Sequence, residues 1–326
     1  MNGKYLLVGD CHAVSSELDD CRALIDLCVE TVEKYDIPHV IFLGDQFHNH
    51  AILDSRCLDF WTEVFKKFRR VTALVGNHDG VSPTSIIPHS MVAHKDLPNV
   101  DIVDRPMLIN NSFCAMPYYY DPVKFLEDAT VLREANPNID TLFCHQTFVG
   151  ADGGKGFFSN DAVEPSAVPF PRVISGHIHG QMKLGKVWYC GSPRYKTLTD
   201  ALVPDKSIYV LDGNKVKAIS TSTHCIKILR FEDKPELPLE IDLKPNTKTD
   251  IRIDVYGTPE RIQERILLFK AKYNARCRGF PITERKMRVS ESDGMDVAFS
   301  KFATNFVPPN GTATEELLKI INERIV

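Results

Sequence analysis

A chain of 326 residues with 43% apolar content exceeds one average domain and can bury a sizeable core, so one large domain with a smaller companion is expected. Its formal charge of -4 and pI near 6.3 exclude a protein that coats nucleic acid or membrane by bulk electrostatics, so any polyanion must be met by a local feature. Nine cysteines without a C-x-x-C pair suit free thiols in a reducing compartment, and the want of a secretory start or of an apolar run near about 18 residues points to a soluble cytoplasmic protein with no membrane partner.

The opening "YLLVGDCHAV" reads as a short buried strand from Tyr5 to Val8 that delivers Asp10 and His12 to its carboxyl end on one side of the pleat. From Asp19 to Lys34, Cys21, Leu24, Ile25, Cys28 and Val32 recur at helical spacing. The alternation repeats: "HVIFLGDQFHNH" is strand then loop, Leu58 to Phe68 helix, and "VTALVGNHDG" strand then loop, which is layered α/β architecture. "TLFCHQTF" and "RVISGHIHG" are further short strands ending in polar residues, and "KVWYCGSP", "SIYVLDG" and "KVKAIS" form a closing set. Beyond Cys225, Pro235, Pro238 and Pro245 stand among charges, which suits a linker over 226–248. A second unit follows over 249–310. There "DIRIDVYG" alternates as a strand, Thr258 and Pro259 start a helix with Ile262, Ile266, Phe269 and Tyr273 on one face, and "ITERKMRVS" closes a β-α-β unit. In 311–326, Thr312 and Glu315 form a capping box before a stripe of Leu317, Leu318, Ile321 and Ile325, an amphipathic helix that either packs on its own domain or docks a partner.

Chemistry concentrates at five strand ends, which carry Asp10 and His12, Asp45 and His48, Asn77 and His78, His145, and His177 and His179. Ligand sites in open α/β sheets gather outside the carboxyl ends of strands, so these loops can meet. The set offers oxygen and nitrogen donors and needs no thiolate. So large a cluster suits two divalent ions about 3.5 to 4 Å apart, sharing a bridging carboxylate and clamping the attacking and leaving oxygens at phosphorus, with Asp45 as the bridge. Any lone histidine is more simply a hydrogen-bonded core or surface residue; the joint placement singles out the set. Cys11 and Cys144 lie beside it, but strand alternation turns them to the opposite face as apolar fillers.

"GDCH", "GDQFH", "GNHD", the lone His145 and "GHIH" closely resemble, in order and composition over roughly residues 5–180, the five motifs of the calcineurin-like metallophosphoesterase superfamily. The resemblance implies a four-layer α/β/β/α sandwich. It places Asp10, His12 and His179 with Asp45 on the first metal, and Asn77, His145 and His177 with Asp45 on the second. His78 matches the histidine that stabilises charge or protonates the leaving oxygen. The metal expected first is Mn, with Mg, Zn or Fe as alternatives.

"GDQFHNH" lacks the arginine-bearing GDxVDRG of phosphoprotein phosphatases, and "GNHD" stands where they have GNHE. His48 instead resembles the extra catalytic-site histidine of SbcD-type double-strand-break repair nucleases and their phage relatives. "CGSPRY" and the trailing β-α-β unit are similar to that family's later strand and DNA-capping domain. The resemblance therefore implies a nuclease domain (1–225), the linker (226–248), a small capping and DNA-binding domain (249–310) and a C-terminal helix (311–326). Its activity would be DNA exonuclease or endonuclease action by a metal-activated hydroxide. The implied partners are DNA, an SMC-like SbcC-type ATPase and a second copy, in a repair or recombination complex (in the host cytoplasm for a viral chain). That family usually continues past the cap into a helical ATPase-binding segment, where only "GTATEELLKIINERIV" follows here.

A small-molecule or cyclic-nucleotide phosphodiesterase or phosphatase would share every metal ligand. A non-catalytic scaffold is disfavoured because no ligand position is lost. Residues 260–290 hold nine basic against three acidic residues, including Arg261, Arg265, Lys270, Lys272, Arg276 and Arg278, with Arg285, Lys286 and Arg288 beyond. They form either a phosphate-tracking face or an ordinary solvated one. In "GADGGKGFFSN", Phe157 or Phe158 could offer a ring to a base or partner, or simply pack.

Overall fold

In the opening strand, β1 (Lys4–Val8), Tyr5, Leu6, Leu7 and Val8 are all buried, so this strand is covered on both faces, as parallel strands of layered folds are. The computed structural model describes residues 3–153, 162–196, 200, 206–221, 225–232, 249–273 and 275–281. The chain divides into two compact units, Met1–Leu229 with Asp242–Arg252, and Arg230–Ile241 with Ile253–Val326.

The first unit continues through α1 (Leu18–Tyr35), β2 (His39–Phe42), α2 (Ser55–Lys66), β3 (Val71–Leu74), the hairpin β4 (Gly80–Ser82) and β5 (Ser85–His89), β6 (Val100–Val103), β7 (Met107–Ile109) and β8 (Phe113–Ala115). It is completed by α3 (Pro122–Ala135), β9 (Thr141–His145), β10 (Arg172–Gly176), β11 (Met182–Leu184), β12 (Val187–Tyr189), β13 (Ser207–Asp212) and β14 (Lys215–Ser220). One six-stranded sheet runs β14-β13-β1-β2-β3-β6 and the other β11-β12-β10-β9-β8-β7. Strands β1, β2, β3 and β6 are parallel neighbours, as are β8, β9, β10 and β12, so the motif-bearing strands end side by side.

The period-2 pattern sorts their side chains into separate cores. Tyr5, Leu7, Ile41, Leu74, Phe143, Ile174, Tyr209 and Leu211 from both sheets meet in one cluster between them. Leu6, Val8, Val40, Phe42, Ile208 and Val210 turn outward and pack with Leu24, Cys28, Trp61 and Phe65 of α1 and α2. Leu142, Cys144 and Val173 pack on the far side with Phe125, Ala129 and Leu132 of α3. The order helix, sheet, sheet, helix is the expected four-layer sandwich. Cys11 and Cys144 sit in these outer cores as small fillers, and Cys11, Cys21, Cys28, Cys57, Cys114, Cys144, Cys190 and Cys277 are free thiols.

Helix α2 begins earlier than its apolar stripe indicates, because Asp54 caps it: its Oδ1 accepts the Arg56 N–H at 2.9 Å. Helix α3 is announced less by apolar spacing than by the Asp121 cap, which accepts from Val123 and Lys124, and by Pro122 in the first turn.

The second unit is centred on the sheet β15 (Cys225–Glu232), β16 (Thr249–Gly257) and β17 (Arg276–Pro281) with α4 (Pro259–Tyr273). Helix α4 packs on β17, and Ile253, Val255, Ile262, Phe269 and Ala275 are buried. The expected linker over 226–248 is corrected at its start: "CIKILRFE" is rich in β-branched and aromatic residues, holds no proline and forms a strand, the prolines beginning only at Pro235. A second correction falls on Arg265, which is 5% exposed on the inner face of α4 beside Ile262 and Phe269 and so cannot track a phosphate backbone. Lys270, Lys272, Arg276 and Arg278 are exposed and Arg261 is half-buried. The strand expected in "ITERKMRVS", the basic residues Arg285, Lys286 and Arg288, the C-terminal helix of 311–326 and the Phe157–Phe158 pair lie outside the described residues. No helix among the described residues is long and apolar enough to cross a membrane.

Candidate metal centre

Each ligand expected from the sequence follows a short parallel strand, and the loops that carry them are stitched together by backbone. His12 N donates to Asp45 O at 2.9 Å and Ala13 N to Gln46 O at 2.8 Å, fixing the first motif loop against the second. Across the two sheets, His145 Nδ1 donates to Leu43 O at 2.7 Å and His177 N to Asp10 Oδ1 at 3.1 Å. These approaches explain the glycines ahead of Asp45 and Asn77. A Cβ on Gly44 would lie 2.2 Å from His145 Nδ1, and one on Gly76 2.2 Å from Asp45 Oδ1, so no side chain fits at either place. The backbone is bent to aim the donors: His12 (φ 47°), Asp45 (φ 53°) and His177 (φ 81°) are all left-handed. For non-glycine residues that conformation costs on the order of 1–3 kcal/mol each and collects at functional sites.

The side chains form one connected cluster. Asp45 Oδ2 lies 3.6 Å from His12 Nε2 and 3.4 Å from His145 Nε2, which puts this carboxylate between the two expected ligand sets, where a bridge belongs. His12 Nε2 is 3.0 Å from His179 Nε2. Asn77 Oδ1 is 2.9 Å from His177 Nδ1 and 3.1 Å from His145 Nε2, and Asp10 Oδ1 is 3.5 Å from His145 Nδ1. Asp45, His145 and His177 offer donor atoms all within 4.8 Å of one another, and so do His12, His48 and His78. Asp10, His12, Asp45 and His145 are buried.

Outer partners decide which ring nitrogens point inward. His145 gives its Nδ1 proton to Leu43 O, and His179 gives its own to Asp200 at 3.0 Å, so both present Nε2 to the cluster. Burial opposes protonation of His145, yet the Asp45 and Asp10 carboxylates lift its pKa to about 9, whereas burial and the His145 charge push His177 down to about 3. Burial likewise raises the Asp10 carboxyl, and its Oδ2 is buried with no hydrogen-bond partner. An orphaned carboxylate oxygen beside converging imidazole lone pairs fits divalent cations held by Asp10, His12, Asp45, Asn77, His145, His177 and His179.

Behind these groups stand residues that belong to neither expected ligand set. Asp79, the last residue of "GNHD", accepts from Phe47 N at 2.8 Å and Gly76 N at 2.9 Å, tying the second motif loop to the third. Burial, then the Asp45 charge, pushes its carboxyl up to about 8. Arg194 of "CGSPRY" is buried, donates to Cys11 O at 3.0 Å and His12 O at 3.3 Å, and pairs with Glu17. Asp200 also takes Lys206 Nζ at 2.8 Å; no sequence signal marks it, since its partner His179 is distant in the motif order.

His78 and His48 lie at the mouth of this cluster. His78 N donates to Asp45 Oδ1 at 2.8 Å, and its Nδ1 donates to His48 O at 2.6 Å, which leaves Nε2 free. The His48 ring stacks on His78 at 5.4 Å between centroids with planes 8° apart, and His48 Nδ1 lies 3.4 Å from His12 Nδ1. Burial and the Lys196 charge lower His48 to about 4, so it is neutral near pH 7.

A family model described as calcineurin-like phosphoesterase matches residues 3–181. The chain is 30% identical over 201 residues to "Putative phosphoesterase 244L" of Invertebrate iridescent virus 6, covering 59% of this chain and 70% of that protein. Among solved structures, "GAP50 the anchor in the inner membrane complex of Plasmodium" aligns with a TM-score of 0.46 and 12% identity over 86% of this chain and 97% of its own.

Proposed function

Since the chain belongs to the calcineurin-like phosphoesterase family and is a hydrolase of phosphoester bonds, we propose that its substrate is the phosphodiester backbone of DNA and that it works as the nuclease subunit of an SbcCD-like repair or recombination complex. The observation that carries this reading is His48. It completes neither expected metal set, yet its carbonyl fixes the His78 tautomer and its ring packs against both His78 and His12. Its position in the motif order is that of the extra histidine in SbcD-type nucleases.

Two divalent ions held by the seven ligands, manganese in this proposal, supply Lewis acidity toward a phosphoryl oxygen and lower the pKa of water toward about 7. Hydrolysis adds a water oxygen to phosphorus and breaks the bond to the leaving oxygen, which then needs a proton. In its imidazolium form His78 would supply one from Nε2, its other N–H, at Nδ1, being held by His48 O and its backbone by Asp45. Asp79 and Arg194 keep the loops in register while this happens. The basic residues Arg261, Lys270, Lys272, Arg276 and Arg278 of the second unit bind backbone phosphates, and the protein pairs with a second copy and with a coiled-coil SMC-like ATPase.

The test is purified protein with manganese on linear duplex DNA, single-stranded DNA and bis-p-nitrophenyl phosphate side by side. Cleavage of DNA that stops in excess chelator, and is lost in Asp45→Ala and His177→Ala with the fold retained, is the expected result. Full activity in chelator would overturn the metal reading. Hydrolysis of the small diester with linear DNA left intact, alone and with an ATPase partner, would make the protein a small-molecule phosphodiesterase instead.

A further inference from the structure

Beside the metal centre runs a groove of about 490 Å³, open to solvent, whose walls include Ile87, Pro106, Pro117, Tyr118 and Tyr120. Its inner end reaches the cluster: the Tyr118 ring lies 5.5 Å from that of His177, tilted by 30°, so one tyrosine lines both places. Its outer walls carry two large side chains left in water, Ile87 on β5 and Tyr120 just before α3, each 65% exposed. Among the residues that line it, three carboxylates (Asp104, Asp121 and Asp128) stand against two cations (Arg105 and Lys124). Lys124 Nζ lies 2.7 Å from Asp128 Oδ1, Arg105 Nη1 lies 3.8 Å from Asp104 Oδ1, and Asp121 caps α3. The walls therefore offer flat apolar and aromatic surface and no surplus cation for a phosphate.

We propose that this groove is a stacking subsite for the nucleobase next to the scissile phosphodiester. The inference rests on the phosphodiesterase reading of the neighbouring centre and adds to it that the substrate is a nucleotide recognised by its base as well as its phosphate. A phosphodiester seated on the His177 side of the cluster leaves its flanking nucleoside within one residue's reach, against Tyr118. An uncharged planar base is the part of a nucleotide that such walls accept, because every base has a π-face for aromatic rings to cover. Removing one stacking ring from such a site costs about tenfold in affinity or more.

The experiment compares thymidine 5′-p-nitrophenyl phosphate with methyl p-nitrophenyl phosphate, which share the reacting bond and leaving group and differ only in the nucleoside. Wild-type protein with manganese is expected to favour the nucleoside ester in kcat/KM by about tenfold or more. Tyr120→Ala and Ile87→Ser should remove most of that preference and leave the methyl ester unchanged, and Tyr120→Phe should keep it. Calorimetric binding of thymidine 5′-monophosphate against methyl phosphate reads the same preference without turnover. Equal behaviour of the two ligands in wild type, or an unchanged preference in both variants, overturns the subsite. Retained preference with linear DNA uncut would remove the nuclease reading and keep the subsite, whereas DNA cleavage without any nucleoside preference would do the reverse.

Discussion

His179 shows how a single residue depends on what lies behind it, since it faces the centre through Nε2 only while Asp200 holds its Nδ1 proton. Burial opposes ionisation of Asp200, but its bond to His179 and the Lys206 charge keep its carboxyl well below the usual range, so it is an anion at any physiological pH. Asp200→Asn should therefore lower metal affinity by about 10- to 100-fold, read by titration against a competing chelator, while the thermal unfolding of metal-free protein shifts far less. His78 separates binding from chemistry. His78→Ala is expected to cut turnover by about 100-fold or more with metal occupancy intact, as loss of a proton donor does. His48→Ala should damage cleavage of DNA more than that of a small diester; equal losses would make His48 structural only. At this scale the residues that gather in the cluster were legible in the sequence, because each lies at or just past the end of an apolar run. It was silent on Asp200, whose role exists only across a tertiary contact.

The unit of construction is the strand with its following loop, and the tightness of those loops can be tested. The Cβ introduced by Gly76→Ala has no space against Asp45 Oδ1, so the variant should lose activity and metal binding while its helices persist by circular dichroism. Strands β2 and β3 are also joined between the sheets by His39 Nε2 and Thr72 Oγ1 at 2.8 Å. Burial, with Arg70 nearby, lowers His39 to about 4. The unfolded chain, with a histidine pKa near 6.5, therefore binds more protons than the folded chain between about pH 4 and 6.5. The stability that His39 contributes is complete above that window and is lost as the pH falls through it, by about 3 kcal/mol at most. Urea unfolding of His39→Gln should show a correspondingly weaker dependence over those pH values than wild type. Element types were legible where helical spacing or a short continuous apolar run stood out, as in α1, β1 and β13. The sequence pattern was thinner for α3, whose buried face is only Phe125, Ala129 and Leu132, and for β17, whose "RCRGFP" is too polar to announce a strand.

For the molecule as a whole, the proposed division of labour puts chemistry in the first unit and backbone binding in the second. Neutralising Lys270, Lys272, Arg276 and Arg278 together should weaken duplex binding and reduce the log-log salt slope by about 0.9 for each phosphate no longer neutralised, with hydrolysis of a small diester barely changed. Duplex binding by that variant equal to wild type at every salt concentration would take DNA recognition away from this face. Arg265 does not belong to that face: three residues after Ile262 and four before Phe269, it lies on the apolar side of α4 and is buried there. By itself the sequence determined the layered α/β class, the order of the motif strands and the donor set, because short apolar runs and the residues placed at their ends are local properties of the chain. Only the tertiary structure decided that the carboxyl ends of β1, β2 and β3 meet those of β9 and β10. It also decided that His12, Asp45 and His177 adopt left-handed backbone to face one point, and that Asp79, Arg194 and Asp200 hold them there. Those facts depend on interactions between residues far apart in the chain, which no window of sequence contains.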